Sequence, residues 1–314
     1  MRGSMPRFSV VVPAYNAGAT LPETLDAMLA QEYFDWECLV VDDGSTDGTA
    51  VIVEAYSARD SRFKLIRQEN RGTAGAYRTG MTAALADLLV ICAADDFLLP
   101  AHLKTMDEFI RANPDFDIYS SNGQYLYQES GSRTTVYARR EWSRERSLAF
   151  EEVVARCFFS VGVVFRRRVY ESTGGHRLGV YADDYDLWLR AMVRGARHRY
   201  TPRILSVHRV SDFQQTANLV KVFAANIEVY QYLLAEYSLK PSQRVAVEKS
   251  IALNRRLMTD IVAEERLERQ SRDLRRTVER LVGARCTEPV MRAIHMISWI
   301  TRPIRRMLLR QRVR

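Results

Sequence analysis

Phe8-Ser9-Val10-Val11-Val12-Pro13-Ala14-Tyr15-Asn16 is an apolar, largely β-branched run that stops at a proline and passes into a polar turn. A strand with one wet face alternates polar and apolar residues, so an unbroken apolar run reads as a strand covered on both faces. Leu21, Leu25, Met28 and Leu29 follow at helical spacing. The same cycle of strand, turn and helix then recurs. Cys38–Val41 leads into Asp42-Asp43-Gly44-Ser45 and a helix over Ala50–Tyr56, and Phe63–Ile66 leads to Gly72 and an alanine-rich helix around Ala74–Leu85. Leu88–Ala93 leads into Asp95-Asp96 and a helix from Pro100 to about Ile110. Buried strands that alternate with helices predict an α/β fold, a mostly parallel sheet with helices on both faces. Such a sheet takes its ligands at the carboxyl ends of its strands. Pro13–Asn16, Asp42–Ser45 and Asp95-Asp96 therefore share one rim.

Further along, Ile118–Tyr127 and Phe158–Phe165 read as strands, Thr173-Gly174-Gly175-His176 as a loop and Tyr200–Val207 as a closing strand. Asp183-Asp184-Tyr185-Asp186-Leu187-Trp188-Leu189-Arg190 starts a helix, with its acidic residues in the first turn where the helix dipole favours them. From about Asn218 the pattern is helical: Leu219–Tyr237, Pro241–Arg280, and Pro289–Leu309 interrupted at Pro303. A length of 314 residues with 47% apolar and 27% charged residues fits a globular domain with an appendage and excludes a disordered or fibrous chain. Cys38, Cys92, Cys157 and Cys286 form no C-x-x-C pair, which argues against a disulfide framework or a cysteine zinc site and for a reducing, cytoplasmic compartment.

The net charge of +8 is unevenly spread. Residues 251–314 hold 16 arginines against 7 acidic residues, and the rest of the chain holds 30 basic against 31 acidic. Basicity is thus a property of the tail, and no specific nucleic-acid partner is expected. No stretch reaches the roughly 18 apolar residues of a membrane span, and the first residues lack the apolar core of a secretory signal.

Two adjacent carboxylates at a strand end, Asp95-Asp96, repel one another; a divalent cation relieves that repulsion and offers open positions to phosphate oxygens. The bland alternative is an acidic cap ahead of Pro100. At the second acidic strand end, Asp42-Asp43 can accept hydrogen bonds from a base N–H or from ribose hydroxyls, where an ordinary Asp-Gly-Ser turn is the alternative.

Taken together, Val10–Asn16, Val41–Asp47, Asn70-Arg71-Gly72, Ala94-Asp95-Asp96 with Pro100, and Asp183–Arg190 resemble the ordered motif set of family 2 inverting glycosyltransferases over about residues 7–210. The resemblance implies a GT-A fold: a Rossmann-like nucleotide-sugar-binding half over 7–115 and an acceptor-binding half with the catalytic base over 116–215, followed here by a basic, all-α extension over 216–314. Carried onto this chain, it implies that Pro13, Ala14 and Tyr15 line the nucleoside pocket, that Asp43 meets the base and that Asp42 supports its loop. Asp95 and Asp96 stand where the family holds Mn²⁺ or Mg²⁺, His208 is a candidate further metal ligand, and Asp184 matches the catalytic base. Arg71 and Arg209 are candidate donors to diphosphate oxygens. Two departures stand out: Ala93, where many members carry another aspartate, and Tyr77-Arg78, where Arg-Asn is common.

The chemistry agrees with the resemblance. Inverting transfer needs a base to deprotonate an acceptor hydroxyl and a cation to stabilise the departing diphosphate. Asp183 is a second candidate for the base, and Asp186 is expected to orient the helix or face solvent. Expected partners are a nucleotide-sugar donor, a UDP-sugar, and a glycan or lipid-linked acceptor of cell-surface polysaccharide biosynthesis. Pro289–Arg314 holds seven arginines and no acid, with Val290, Ile294, Ile297, Ile300 and Trp299 among them, which suits the interface of an anionic membrane. That would place the enzyme peripherally on the inner membrane face; the alternative is packing on the catalytic domain or a partner subunit, and a homo-oligomer is left open. The rival function is a non-catalytic sugar-nucleotide-binding scaffold of a membrane-associated complex, for which the absent carboxylate at Ala93 speaks.

Overall fold

Four parallel strands, β1 (Phe8–Ala14), β2 (Trp36–Asp42), β3 (Phe63–Arg67) and β4 (Leu88–Ile91), lie in the order β3-β2-β1-β4, with Val10 opposite Cys38 on one side and Val90 on the other. They belong to a computed structural model that describes residues 5–138, 142–155, 159, 161–210 and 218–282. Helices α1 (Leu21–Leu29), α2 (Thr49–Arg59), α3 (Gly72–Ala83) and α4 (His102–Ala112) connect and cover the strands. The unbroken apolar run of β1 is explained by the two cores it feeds. Phe8, Val10 and Val12 pack with Leu21, Leu25 and Met28, while Val11 points the other way, towards Tyr77 and Met81. Fully burying each such side chain contributes about 1.5–3 kcal/mol. Gly80 lets α3 approach the sheet closely: a Cβ there would sit 2.4 Å from Val11 Cγ1. Any larger residue at that position must push the helix off the sheet.

Beyond β4 the sheet changes direction. β5 (Phe97–Leu98), β6 (Ile118–Tyr127), β7 (Arg133–Thr135), β8 (Val164–Arg166) and β9 (His198–Val210) complete it, and the order runs on from β4 through β8, β6 and β9 to β5, with β7 paired to β6. β8 is antiparallel to β4 and β6, whereas β9 is parallel to β6. The strand expected over Phe158–Phe165 is realised at its end, in β8; residues 158 and 160 lie outside the described set. β9 is longer than its sequence signature. Its last turns pair antiparallel with β5, Phe97 opposite Val207, so that His208 and Arg209 arrive beside Asp95-Asp96.

Helices α5 (Phe150–Ala155), α6 (Arg167–Thr173), α7 (Asp183–Val193), α8 (Leu219–Glu236) and α9 (Pro241–Val282) follow. α7 is fixed internally by a buried ion pair, Arg190 Nε to Asp186 Oδ2 at 2.7 Å, and the same guanidinium donates to the carbonyls of Thr173 and Gly175, each at 2.8 Å. Asp186 thus orients the helix and does not face solvent. The Tyr185 hydroxyl lies 3.0 Å from the carbonyls of Val153 and Val154 on α5 and 2.9 Å from the Tyr230 hydroxyl on α8. Trp188 and Leu189 are core residues. Residues 283–314, including the arginine-rich segment, lie outside the described residues. Among those described, no helix is long and apolar enough to cross a membrane.

Candidate active site

The turns after β1 and β2 are laced together. Asn16 adopts φ 49°, a left-handed conformation that asparagine tolerates better than most residues. Its N–H donates to Ser45 Oγ at 2.9 Å, and its side-chain oxygen accepts from the Thr46 N–H at 2.8 Å. Gly18 N–H donates to Asp47, and Ala17 N–H to Thr49. Tyr15, 54% exposed, stands at the edge of this platform, with Pro13 half-buried and Ala14 buried beside it.

Asp42 and Asp43 are both buried, and backbone and side-chain donors hold them. Asp42 Oδ1 accepts from the Ser45 N–H at 3.0 Å. Asp43 Oδ1 accepts from Gln68 Nε2 at 2.6 Å and from the Arg71 N–H at 2.8 Å, while the Asp43 N–H donates to the Ala14 carbonyl. Gln68 is itself oriented, its Oε1 taking a hydrogen bond from Thr79. Sequence reading passed over Gln68. The signal was available, since it follows the last residue of β3 and so lies on the same ligand-bearing rim. Arg71 serves through its main chain, and its side chain is exposed.

On the other side of β1, Asp96 is 2% exposed. His208 Nδ1 sits 3.0 Å from its Oδ2, and the Arg209 N–H donates to Oδ1 at 2.9 Å. Burial pushes the Asp96 carboxyl up, and His208 opposes the shift. Thr24 Oγ1 donates to the carbonyls of Ala94 and Asp96, and Thr20 Oγ1 to that of Ala94, so α1 holds this turn from below. Arg209, a candidate donor to diphosphate oxygens, also has its guanidinium engaged by Glu23 and by the Asp95 carbonyl, the latter at 3.0 Å, and so clamps the turn to α1. Asp95 is half-buried.

Asp184 is half-buried in the first turn of α7. Its N–H donates to Asp183 Oδ1 at 3.0 Å, and Asp183 Oδ2 is buried without a hydrogen-bond donor. Burial raises both carboxyls, Asp183 well above the carboxylate range with the charge of Asp184 adding to it. Asp183 acts in the opposite sense on Asp184 and limits its rise. The charge of Asp96 also bears on Asp184, so the two carboxyls lie within electrostatic reach of one another. Among the described residues no group of three or more His, Cys, Asp or Glu is placed to hold a metal ion by itself. Asp96 with His208 is the pair closest to that task.

A parallel sheet with polar turns at its strand ends, extended by an antiparallel portion, is the architecture of GT-A nucleotide-sugar transferases. Residues 9–174 match the Glycosyl transferase family 2 domain, and the chain belongs to that family. It is 33% identical over 149 residues to the glycosyltransferase GlyG of Streptococcus pneumoniae, a match that covers 47% of this chain and 49% of GlyG. It is 29% identical to EpsE of Bacillus subtilis over 62% of this chain and 69% of that one. The chain thus spans only about half the length of GlyG. Solved structures confirm the fold. S. aureus TarS 1–349 in complex with UDP-GlcNAc superposes with a TM-score of 0.64 at 17% identity, covering 79% of this chain and 71% of TarS. A mannosyltransferase from Pyrobaculum calidifontis in complex with GDP-Man and Mn²⁺ gives 0.67 at 20% identity, covering 98% and 84%.

Proposed function

We propose that the chain is a metal-dependent, inverting glycosyltransferase that moves a sugar from a uridine diphosphate donor to a glycan or lipid-linked acceptor of the cell surface. The observation that carries this reading is the Asp96–His208 pair with Asp184 within reach of its charge. Asp43, Tyr15 and the amide-laced turns lie where a nucleoside would bind, and a neighbour of the same fold was solved with UDP-GlcNAc.

The donor set fits a divalent cation. A carboxylate oxygen and an imidazole nitrogen 3.0 Å apart match adjacent ligands of an ion with bonds of about 2.1 Å. Oxygen and imidazole donors also suit Mn²⁺. When bound, such an ion neutralises charge on the departing diphosphate. The protein supplies the rest. Asp43 and the turns after β1 and β2 hold the nucleoside, and Thr20, Thr24 and Arg209 fix the Asp95-Asp96 turn. Asp184 accepts the proton of the acceptor hydroxyl as its oxygen bonds to the anomeric carbon and the bond to the diphosphate breaks on the opposite face. A carboxyl raised by burial is a better base than an ordinary one.

The test is calorimetric binding of UDP, GDP and their common sugar conjugates, with and without Mn²⁺, followed by donor turnover with acceptors. Metal-dependent binding of a uridine nucleotide with turnover is expected. Binding without hydrolysis or transfer, whatever the acceptor, would establish the non-catalytic scaffold in its place.

A further inference from the structure

Asp43 has one oxygen in full use and one open. Oδ1 accepts from Gln68 Nε2 at 2.6 Å and from the Arg71 N–H at 2.8 Å, which fills the two lone pairs of a carboxyl oxygen. Oδ2 accepts no hydrogen bond among the described residues, and it is not sealed from solvent although Asp43 as a whole is 3% exposed. Gln68 is fixed at both ends. Its main-chain N–H donates to the Asp42 carbonyl at 3.0 Å, and its Oε1 accepts from Thr79 Oγ1 on α3 at 2.5 Å, so the amide presents its nitrogen to Asp43. All of this lies on the rim of strand ends, and the Ala14 carbonyl that takes the Asp43 N–H is followed directly by the exposed Tyr15.

We infer that Gln68 sets the choice of nucleobase: by occupying Asp43 Oδ1 it leaves a single acceptor, which takes the one ring N–H of uracil and rejects guanine. The inference rests on the transferase reading above and adds to it a positioning residue that acts through Asp43. Guanine offers two parallel donors, a ring N–H and an amino group, and pairs best with a carboxyl whose two oxygens are both open. Here its amino group meets the Gln68 amide donor against donor, and one N–H is left without an acceptor. Uracil carries one N–H between two carbonyl oxygens, so Oδ2 alone satisfies its donor. Cytosine has an acceptor nitrogen at that position and faces Oδ2 acceptor against acceptor. The selection therefore lies in which oxygen of one aspartate the fold has already filled.

The experiment compares wild type with Gln68→Leu, which keeps most of the side-chain bulk and removes the amide, by calorimetric binding of UDP, GDP and CDP in Mn²⁺. Wild type is expected to bind UDP at least about tenfold more tightly than GDP. In Gln68→Leu the UDP affinity should fall about tenfold while GDP holds or gains, so that the preference shrinks to within about threefold. CDP should stay weak in both proteins. An unchanged ratio of UDP to GDP affinity, whether from equal losses or from none, overturns the inference and leaves the transferase reading standing. A rise of CDP alongside GDP does the same, because it reports a pocket that has merely loosened. A wild type that prefers GDP overturns the inference together with the uridine donor, though not the transfer chemistry. A wild type that binds none of the three overturns the whole reading.

Discussion

Asp42-Asp43 and Asp183-Asp184 are the same dipeptide in two surroundings. The first pair ends β2, and its oxygens accept from the N–H groups of Ser45 and Arg71 and from Gln68. The second opens α7, where Asp183 Oδ1 accepts from the neighbouring Asp184 N–H and, among the described residues, Oδ2 is buried without a partner. A carboxylate surrounded by donors is held in place, which suits recognition. One starved of donors holds its proton more tightly, which suits proton transfer. The chemistry of an Asp-Asp pair is thus decided by which N–H groups the fold delivers to it.

The comparison can be broken most forcefully at the base. Asp184→Asn keeps the shape and removes the proton acceptor, so kcat should fall about 10³-fold with donor binding retained. A variant within tenfold of wild type would move the base elsewhere. The next largest effect lies beneath it, in the ion pair that fixes α7. Asp186→Ala leaves Arg190 buried and unpaired, and denaturant unfolding should report a loss of about 3–5 kcal/mol. On the recognition side, Gln68→Ala takes one donor from Asp43 and should weaken nucleotide binding about tenfold with the melting temperature little changed.

The smallest effect is also the sharpest discriminator. Asp184 must be ionised to act, so the acid limb of kcat/KM should lie above the ordinary carboxylate value of about 4. Asp183→Ala removes the donor that lowers Asp184, and the limb should move to higher pH; Asp183→Asn keeps an amide donor and should leave it near its original place. Identical limbs in the two variants would mean that Asp183 does not donate to the base. The stability readout follows with its sign. A carboxyl whose pKa is raised by folding destabilises the protein progressively as pH climbs from about 4 through the folded value. Asp183→Asn should therefore melt a few degrees higher than wild type at neutral pH and converge with it near pH 4.

The parallel half of the fold was legible because each strand is apolar on both faces and each turn is punctuated by proline, glycine or aspartate. β1 is the plainest case, since Phe8, Val10 and Val12 feed one core and Val11 the other. The second half was legible only in part. β8 has just three residues and β5 two, and their pairing is set by the strands beside them, which no local period reveals. The site followed the same division. Asp42, Asp43, Asp95, Asp96 and Asp184 announced themselves through position and adjacency. Gln68 and Glu23 did not, because a lone polar residue carries no period and its partners, Asp43 and Arg209, lie far away in sequence. Arg209 shows a related limit: a cation near an expected anion site invites pairing with the ligand, and only the fold reveals that Glu23 also engages it.

The tyrosine bridge between α7 and α8 has a consequence for how such enzymes diversify. Tyr185 directly follows Asp184, and its hydroxyl meets that of Tyr230, while Tyr230 and Ser250 both donate to the Val154 carbonyl. The helical extension is therefore part of the mounting of the α7 start that carries the proposed base Asp184. An exchange of C-terminal helices among relatives would have to preserve those hydroxyl contacts or shift the start of α7, so changes far along the chain would be felt at Asp184.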